Sequence, residues 1–285
     1  MIDIILSTLR LSLPVLLAAS GGYFTEKTGI AQISLEAYLL TGAFTAATVS
    51  YFSHSVVWGY VIAIVLGVLV SQLFSLLVLK LKANAIVVGT ALNLLVMGVI
   101  PIISKNIFDS TGSTPSLNID NAGIMAQIYP YVLTAALLGL SYFLAERSRW
   151  GLEIKFAGQN SDVLQSVGVN PTKVRWMAIT FSAAMTSVGG AILSTYLASS
   201  YSPMMSAGRG FIALAAVIFA GWRLGRAWLV VVFFALTEAL QIYIQSLQLS
   251  FKIPNELIQS MPYLITLLVL VFYKNKSSAP RFVEY

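Results

Sequence analysis

Cysteine is absent from the sequence, and His54 is the only histidine. These absences exclude disulfides, thiol catalysis, and any metal site built from cysteine or from several histidines of this chain. The phosphate-binding pattern G-x-x-x-x-G-K-[ST] is also missing, so the chain cannot hold ATP by that device. No Ser/His or paired-carboxylate arrangement suited to catalysis is recognisable. We therefore predict a protein that is not an enzyme and that uses no metal or cofactor.

Charged residues are scarce, at 10% of 285 residues, whereas hydrophobic residues make up 58%. A soluble domain contains about 45–50% apolar residues. Apolar runs near the ~20 residues that cross a bilayer as a helix recur along the whole sequence. The sequence therefore predicts an all-α fold, a polytopic transmembrane helical bundle that forms a single transmembrane domain over residues 1–285 of the chain. Because no soluble basic domain carries the net charge of +6, we predict no nucleic-acid partner.

The apolar runs predict about nine spans, within a range of eight to ten. We place them at residues 4–22, 34–51, 57–80, 84–104, 127–145, 176–198, 209–222, 226–248 and 258–273. We expect the first span to be an uncleaved helix, and the segment between the first two spans to be either a plain connector or re-entrant. Runs of small residues at 182–187 and 189–191 predict close contacts between helices.

The placement of lysine and arginine predicts the orientation in the membrane. If nine spans alternate, one side receives nearly all of the basic loop residues: Lys80, Lys82, Arg147, Arg149, Lys155, Lys173, Arg175, Arg223, Arg226, Lys274, Lys276 and Arg281. The loops on the other side contain only Lys105 and Lys252. Because cytoplasmic loops are enriched in basic residues, we expect an outside N-terminus and an inside C-terminus. The polar outer loop 105–126 is then either a solvated connector or a docking point for an external partner.

The predicted cytoplasmic loop, residues 146–175, contains the pattern of a short helix. Asn160 or Ser161 suits its N-cap, Asp162 suits the positive end of its dipole, and Gly168 suits its C-cap. Its apolar residues are Val163, Leu164 and Val167. The pattern leaves two alternatives open: the helix packs on the bundle's own surface, or it occupies a groove of a soluble partner.

Several motifs resemble the permeases of ATP-binding cassette (ABC) importers of the branched-chain amino acid, ribose and nucleoside class. The pattern G-x-N-x-x-A-A-x-x-x-G-I begins at Gly158 and keeps Asn160 and Gly168. The segment ISLEAYLLTGAF at 33–44 resembles N-I-G-L-E-G-x-x-L-x-G-A-F, and two further stretches, 88–99 and 208–228, also agree with the family. Within the class, the chain most resembles the nucleoside, simple-sugar-like permeases.

The resemblance implies a transport subunit in the bacterial cytoplasmic (inner) membrane. It implies three kinds of protein partner: a separate ABC ATPase subunit, a second permease that is either identical or a paralogue, and an external solute-binding lipoprotein. It also implies that the short helix at 160–168 is a coupling helix that enters a cleft of the ATPase.

Polar groups inside apolar spans are the candidates for the substrate pathway, because an intramembrane polar group is costly without a role. They are Glu36, Asn93, Glu238 and Gln241, to which we add Arg209 at the start of a short span and Phe44 as an aromatic wall. Glu238 and Gln241 lie three residues apart and are therefore expected to share a helix face. The alternative is that these groups bond neighbouring helices and only hold the bundle together.

We therefore predict a permease subunit of an ATP-driven importer, with nucleosides as cargo. Ribose-type sugars or branched-chain amino acids are alternatives within the class. A proton-coupled secondary carrier, with Glu36 and Glu238 as proton sites, is an alternative outside it.

Overall fold

The computed structural model describes residues 2–117, 124–246 and 279–283, and within these ranges the chain is helical and contains no β-strand. Two helices, α3 and α8, continue into one π-helical turn each, Leu76–Lys80 and Leu193–Leu197. The α-helices are α1 (Ile2–Lys27), α2 (Leu35–Ser53), α3 (Val56–Ser75), α4 (Ala85–Phe108), α5 (Ile124–Glu146), α6 (Arg149–Gln159), α7 (Ser161–Ser166), α8 (Pro171–Ile192), α9 (Arg209–Phe219) and α10 (Leu224–Ser246).

Within the described residues, six helical segments are long and apolar enough to cross a membrane: Asp3–Lys27, Val56–Lys80, Ala85–Phe108, Ile128–Glu146, Pro171–Leu197 and Leu224–Gln245. The all-α, membrane-spanning fold is therefore confirmed, but the count of nine spans is not. The span predicted at 209–222 is the 11-residue helix α9, which is too short to cross alone. The span predicted at 258–273 lies outside the described residues.

Helix α2 fills the span predicted at 34–51 but is less apolar than the six segments. Nearly every residue from Leu35 to Ala47 is buried, including Ala37, Tyr38 and Leu39 at 0% exposure. A helix that is enclosed by other helices does not face lipid, so it can contain alanine, threonine and glycine in place of larger apolar residues. The modest hydropathy of α2 therefore follows from its central position.

Small residues bring α1, α2 and α8 into close contact at the centre of the bundle. A Cβ atom on Gly190 of α8 would overlap the Leu39 carbonyl oxygen of α2, and one on Gly42 would overlap the Ser187 backbone. On the other face of α8, Gly189 packs against the Pro14 carbonyl of α1. The predicted role of the small-residue runs at 182–187 and 189–191 is confirmed.

The loops collect at two ends of the bundle. At one end, which we call the α6 end, the Lys27 ammonium donates to the Trp222 carbonyl (3.2 Å) and the Arg281 N–H donates to the Gly158 carbonyl (2.8 Å). At the opposite end, the Thr114 N–H donates to the Tyr201 carbonyl (2.9 Å). Segments that the sequence assigned to one membrane side therefore meet one another in the structure.

Candidate translocation and coupling sites

A cavity of about 700 Å³ lies between α9 and α10, with Val15 of α1 at its edge. Its polar lining includes three of the predicted pathway residues, Arg209, Glu238 and Gln241. Its apolar lining comes from both helices and includes three aromatic side chains: Phe211, Phe219 and Phe234. Glu238 and Gln241 share the lining, as their spacing predicted. A concave, mostly apolar space with a few converging polar groups is the usual form of a small-molecule site.

An ion pair holds the polar side of this cavity together. Arg209 Nη2 donates to Glu238 Oε1 at 2.6 Å, and Arg209 Nη1 donates to the Met205 carbonyl at 3.2 Å. The Glu238 side chain is 30% exposed and that of Arg209 is 13% exposed. The Nε of Arg209 is buried and has no hydrogen-bond partner among the described residues. The cavity therefore presents one charged pair.

Glu36 has a different environment. Its carboxylate accepts from Ser206 Oγ (2.5 Å), the Gly208 N–H (2.9 Å) and the Gly210 N–H (2.8 Å). These donors flank the start of α9, and Glu36 itself lies in the first turn of α2. The carboxylate is therefore stabilised at two helix N-termini at once. It is 1% exposed and is not among the described residues that line the cavity.

The contact between Glu36 and α9 requires a glycine at position 210. A Cβ atom there would overlap the backbone nitrogen and the carboxylate of Glu36. Gly208, two residues earlier, has a φ of 79°, in the left-handed region that glycine adopts at little cost. The G-R-G sequence therefore allows the backbone on both sides of Arg209 to meet the Glu36 carboxylate.

Asn93 fixes the start of α2 from α4. Its Oδ1 accepts from the Ala37 N–H at 2.9 Å, and its Nδ2 donates to the Ile33 carbonyl at 3.0 Å. Both partners are backbone groups at or just before the N-terminus of α2, where the helix itself supplies no hydrogen-bond partner. Asn93 lies eight residues after Ala85, so the start of α2 is about 12 Å along α4 from its beginning. Helix α2 therefore begins well inside the bundle.

Phe44 lies at a second, apolar cavity of about 370 Å³ between α2, α3 and α4. Its ring meets that of Tyr201 edge to face, with the centroids 5.2 Å apart. Burial raises the pKa of Tyr201, which lies in the loop before α9, to about 12. The structure therefore separates Phe44 from the cavity that contains Arg209 and Glu238.

The loop between α5 and α8 contains the predicted short helix, α7. Asn160 is its N-cap, because Asn160 Oδ1 accepts from the Asp162 N–H at 3.2 Å. Gly168, with a φ of 79°, follows its C-terminal end. An additional helix, α6, precedes it and begins at an N-cap serine, Ser148. Asn160 joins the two helices, because it is also the C-cap of α6.

The apolar residues of α7 do not form one face. Leu164 is 3% exposed and belongs to the core, whereas Val163 is 41% and Val167 68% exposed. Consecutive residues of a helix are about 100° apart, so Val163 and Leu164 point in different directions. The bundle covers Leu164, and Val163 and Val167 remain exposed beside the exposed Asp162.

A family profile described as the permease component of branched-chain amino acid transport systems matches residues 4–272. The chain belongs to this permease family. A nucleoside ABC transporter permease protein, NupC, of Lactococcus lactis is 28% identical over 301 residues, which cover 98% of this chain and 94% of NupC. A guanosine ABC transporter permease protein, NupQ, of Bacillus subtilis is 27% identical over 299 residues, 98% of this chain and 94% of NupQ.

A third relative, from Haloferax volcanii, has a name that refers to a glucose ABC transporter permease and is 27% identical over 296 residues, 93% of this chain and 90% of that protein. No solved structure shows significant similarity to the chain. The family match makes this chain a permease subunit of a membrane transport system.

Glu26 is a buried carboxylate of the permease that was not predicted from the sequence. It is 2% exposed and accepts from the Gln32 N–H (2.8 Å) and from Trp222 Nε1 (3.2 Å). It joins the end of α1 to the segment before α2 and to the turn between α9 and α10. The sequence feature that could have indicated it is a glutamate beside an apolar run, in YFTEKTG. The adjacent Lys27, however, makes Glu26 resemble an exposed charge in a loop.

Proposed function

We propose that this permease forms the translocation pathway of an ABC importer for nucleosides. The observation that carries the proposal is the similarity over nearly the full length to two permeases named for nucleoside and guanosine transport. The cavity between α9 and α10 supports it, because its aromatic walls suit stacking with a base and its polar groups suit hydrogen bonds with a base or ribose.

In this proposal, cargo passes the polar side of the cavity at Arg209, Glu238 and Gln241. The Arg209 guanidinium, which lines the cavity, is a donor for a carbonyl or ring nitrogen of the cargo. The Glu238 carboxylate accepts from an amine or hydroxyl. Glu36 and Asn93 do not contact the cargo in this proposal. Glu36 fixes the start of α9, and Asn93 fixes the start of α2.

We propose that α7 is the coupling helix and that Val163 and Val167 are its contacts with a separate ATPase subunit. Exposed apolar side chains on a short helix, with a charged residue beside them, suit a groove of a soluble protein. Leu164 then anchors the helix to the permease. Because Leu164 holds α7 to the bundle while the two valines contact the ATPase, a movement of the ATPase displaces α7 and the bundle together.

The proposed assembly contains two permeases, two ATPase subunits and an external solute-binding lipoprotein. The α6 end faces the cytoplasm, which places the N-terminus of α1 outside and the C-terminus inside. The described basic residues at this end include Lys27, Arg147, Arg149, Lys155 and Arg223, which agrees with the enrichment of basic residues in cytoplasmic loops.

Reconstitution tests the function. The permease, its ATPase and its binding protein are placed in proteoliposomes, and uptake of radiolabelled guanosine, uridine, ribose and leucine is measured with and without ATP. We expect ATP-dependent accumulation of nucleosides, and little of ribose or leucine. Accumulation by the permease alone, or uptake that a protonophore abolishes in the absence of the ATPase, would contradict the proposal.

A sugar is the second candidate cargo, because of the Haloferax volcanii relative. The same polar groups of the cavity can bind sugar hydroxyls. Preferential accumulation of glucose or ribose in the same assay would support this alternative and would overturn the nucleoside assignment.

A further inference from the structure

At the α6 end, the backbone carbonyl groups of two pairs of neighbouring residues lie where the loop 146–175 meets the end of α1. Ala157 and Gly158 belong to the last turn of α6, and Thr28 and Gly29 directly follow α1. We call these four residues, with Arg175 of α8, the carbonyl junction. The last carbonyls of a helix have no partner within the helix, so both helix ends need external donors here.

Arg175 supplies donors to both helix ends. Its Nη2 donates to the Ala157 carbonyl at 2.9 Å, and its Nε donates to the Thr28 carbonyl at 3.3 Å. Thr28 is 0% and Ala157 2% exposed. A cation is favourable at a helix C-terminus, and this guanidinium lies at two of them. Only a planar group with several N–H donors can satisfy both carbonyls from one position.

The described C-terminal residues cap the two neighbouring carbonyls in the same manner. The Arg281 N–H donates to the Gly158 carbonyl at 2.8 Å, and the Val283 N–H donates to the Gly29 carbonyl at 2.9 Å. The Phe282 ring lies beside that of Trp222, with the centroids 6.3 Å apart. The C-terminal segment therefore connects α6, the end of α1, and the turn between α9 and α10.

Two glycines allow the helix ends to approach this closely. A Cβ atom on Gly158 would overlap the Lys27 carbonyl oxygen, and one on Gly29 would overlap the Arg281 carbonyl oxygen. Gly29 also has a φ of 85°, which glycine adopts readily. The junction is therefore in direct backbone contact and not only bridged by side chains.

We propose that the carbonyl junction transmits movement of the coupling helix to α1 and onward to α9, with Arg175 as the positioning residue. Asn160 joins α7 to α6, and Arg175 joins α6 to α1. Glu26 and Lys27, at the end of α1, then contact Trp222 in the turn that follows α9. This path ends at the helix that carries Arg209. The proposal rests on the proposed coupling function.

The test compares Arg175→Gln with Arg226→Gln, which removes an exposed arginine from the same end of the molecule. Each variant is reconstituted with ATPase and binding protein, and nucleoside uptake and ATP hydrolysis are measured together. We expect Arg175→Gln to lower uptake per ATP hydrolysed by roughly tenfold, within the range of measured coupling energies. Its KM for uptake and its ATPase rate should stay within about twofold of wild type. Arg226→Gln should leave the ratio unchanged.

An unchanged uptake-to-ATP ratio in Arg175→Gln would overturn the proposal. So would a parallel loss of uptake, ATPase rate and thermal stability, because that pattern indicates a purely structural residue. If Arg175→Gln does not insert, Gly158→Ala tests the same junction against Gly139→Ala, where an added Cβ meets no atom within 4 Å. Failure of wild-type nucleoside uptake would instead reject the proposed function, so the two outcomes are distinguishable.

Discussion

Two buried regions of this permease each contain a glutamate, and their surroundings differ. Glu36 accepts three hydrogen bonds from the segment that starts α9 and is 1% exposed. Glu238 forms one ion pair at the wall of a cavity, and its side chain is 30% exposed. The Glu36 carboxylate is enclosed and lies outside the cavity, whereas Glu238 has free lone pairs and space beside it. We therefore propose a structural role for Glu36 and a cargo role for Glu238.

The largest effect is expected for Glu36→Ala. It leaves two N–H groups and one hydroxyl near α9 without their acceptor, and hydrogen bonds to charged groups contribute about 1.5–3 kcal/mol each. We expect a loss of about 3 kcal/mol or more in the free energy of unfolding and loss of uptake. Thermal unfolding in detergent measures it, with the exposed Glu146→Ala as control. Wild-type stability with altered cargo selectivity would place Glu36 in the pathway and remove the contrast with Glu238.

The second prediction contrasts the buried Leu164 with the exposed Val163 and Val167 at α7. Val163→Asp combined with Val167→Asp should reduce ATP-dependent uptake by about 100-fold, or about 2.7 kcal/mol, because two charges enter the partner groove. Membrane insertion and thermal stability should not change. Leu164→Asp should instead destabilise the permease, because it places a charge in the core. Normal uptake by the double variant would exclude these valines from the ATPase contact.

A third, smaller effect is expected for Asn93→Leu, which tests whether the region around Glu36 acts as one structural unit. The change leaves the Ala37 N–H and the Ile33 carbonyl buried without partners, which costs about 2 kcal/mol. Asn106→Leu, at an exposed position of the same helix, is the matched control. Thermal unfolding measures both variants. A change in cargo preference without loss of stability would contradict the structural role of Asn93.

The smallest effect on stability and a moderate effect on transport are expected for Glu238→Gln. The amide can still accept from Arg209, and partly exposed ion pairs contribute about 1 kcal/mol or less. We expect a shift in the free energy of unfolding below about 1 kcal/mol, and a loss of uptake near tenfold, or about 1.4 kcal/mol. Stability and initial uptake rates are compared with those of Glu238→Asp, which keeps the charge. Unaltered uptake in Glu238→Gln would remove this carboxylate from the pathway.

Local signals predicted well where the short helix in the loop 146–175 begins and ends. An asparagine before an acidic first turn, followed by a glycine, is sufficient to place an N-cap and a helix end, and both were found at Asn160 and Gly168. The same signals could not show which side chains the bundle covers. The direction of Leu164 depends on where α6 and α8 lie, and that arrangement comes from contacts between residues distant in sequence.

Hydropathy identified apolar helices both at the surface and in the interior of the bundle, since the segment Pro171–Leu197 is an apolar span although most of it is buried. Helix α3 is apolar and half open to its surroundings, so its composition identifies it as a span. Helix α2 is enclosed by other helices, so lipid does not impose its composition on it. Helix α9 is apolar, but composition does not show that it ends after 11 residues, which are too few to cross a bilayer alone. For the same reason the spacing of nine alternating spans did not reproduce the structure over the described residues.

The sequence by itself determined that this is a helical membrane protein, that it lacks the phosphate-binding pattern G-x-x-x-x-G-K-[ST], that it belongs to a permease family, and where the short helix α7 begins and ends. These properties follow from composition and from neighbouring residues. Only the tertiary structure decided that Glu36 and Asn93 bond to helix ends, that Arg209, Glu238 and Gln241 share a cavity, and that Arg175 joins α6 to α1. Such pairings depend on how close the helices come to one another, and at Gly42, Gly158 and Gly210 the absence of a Cβ atom permits that approach.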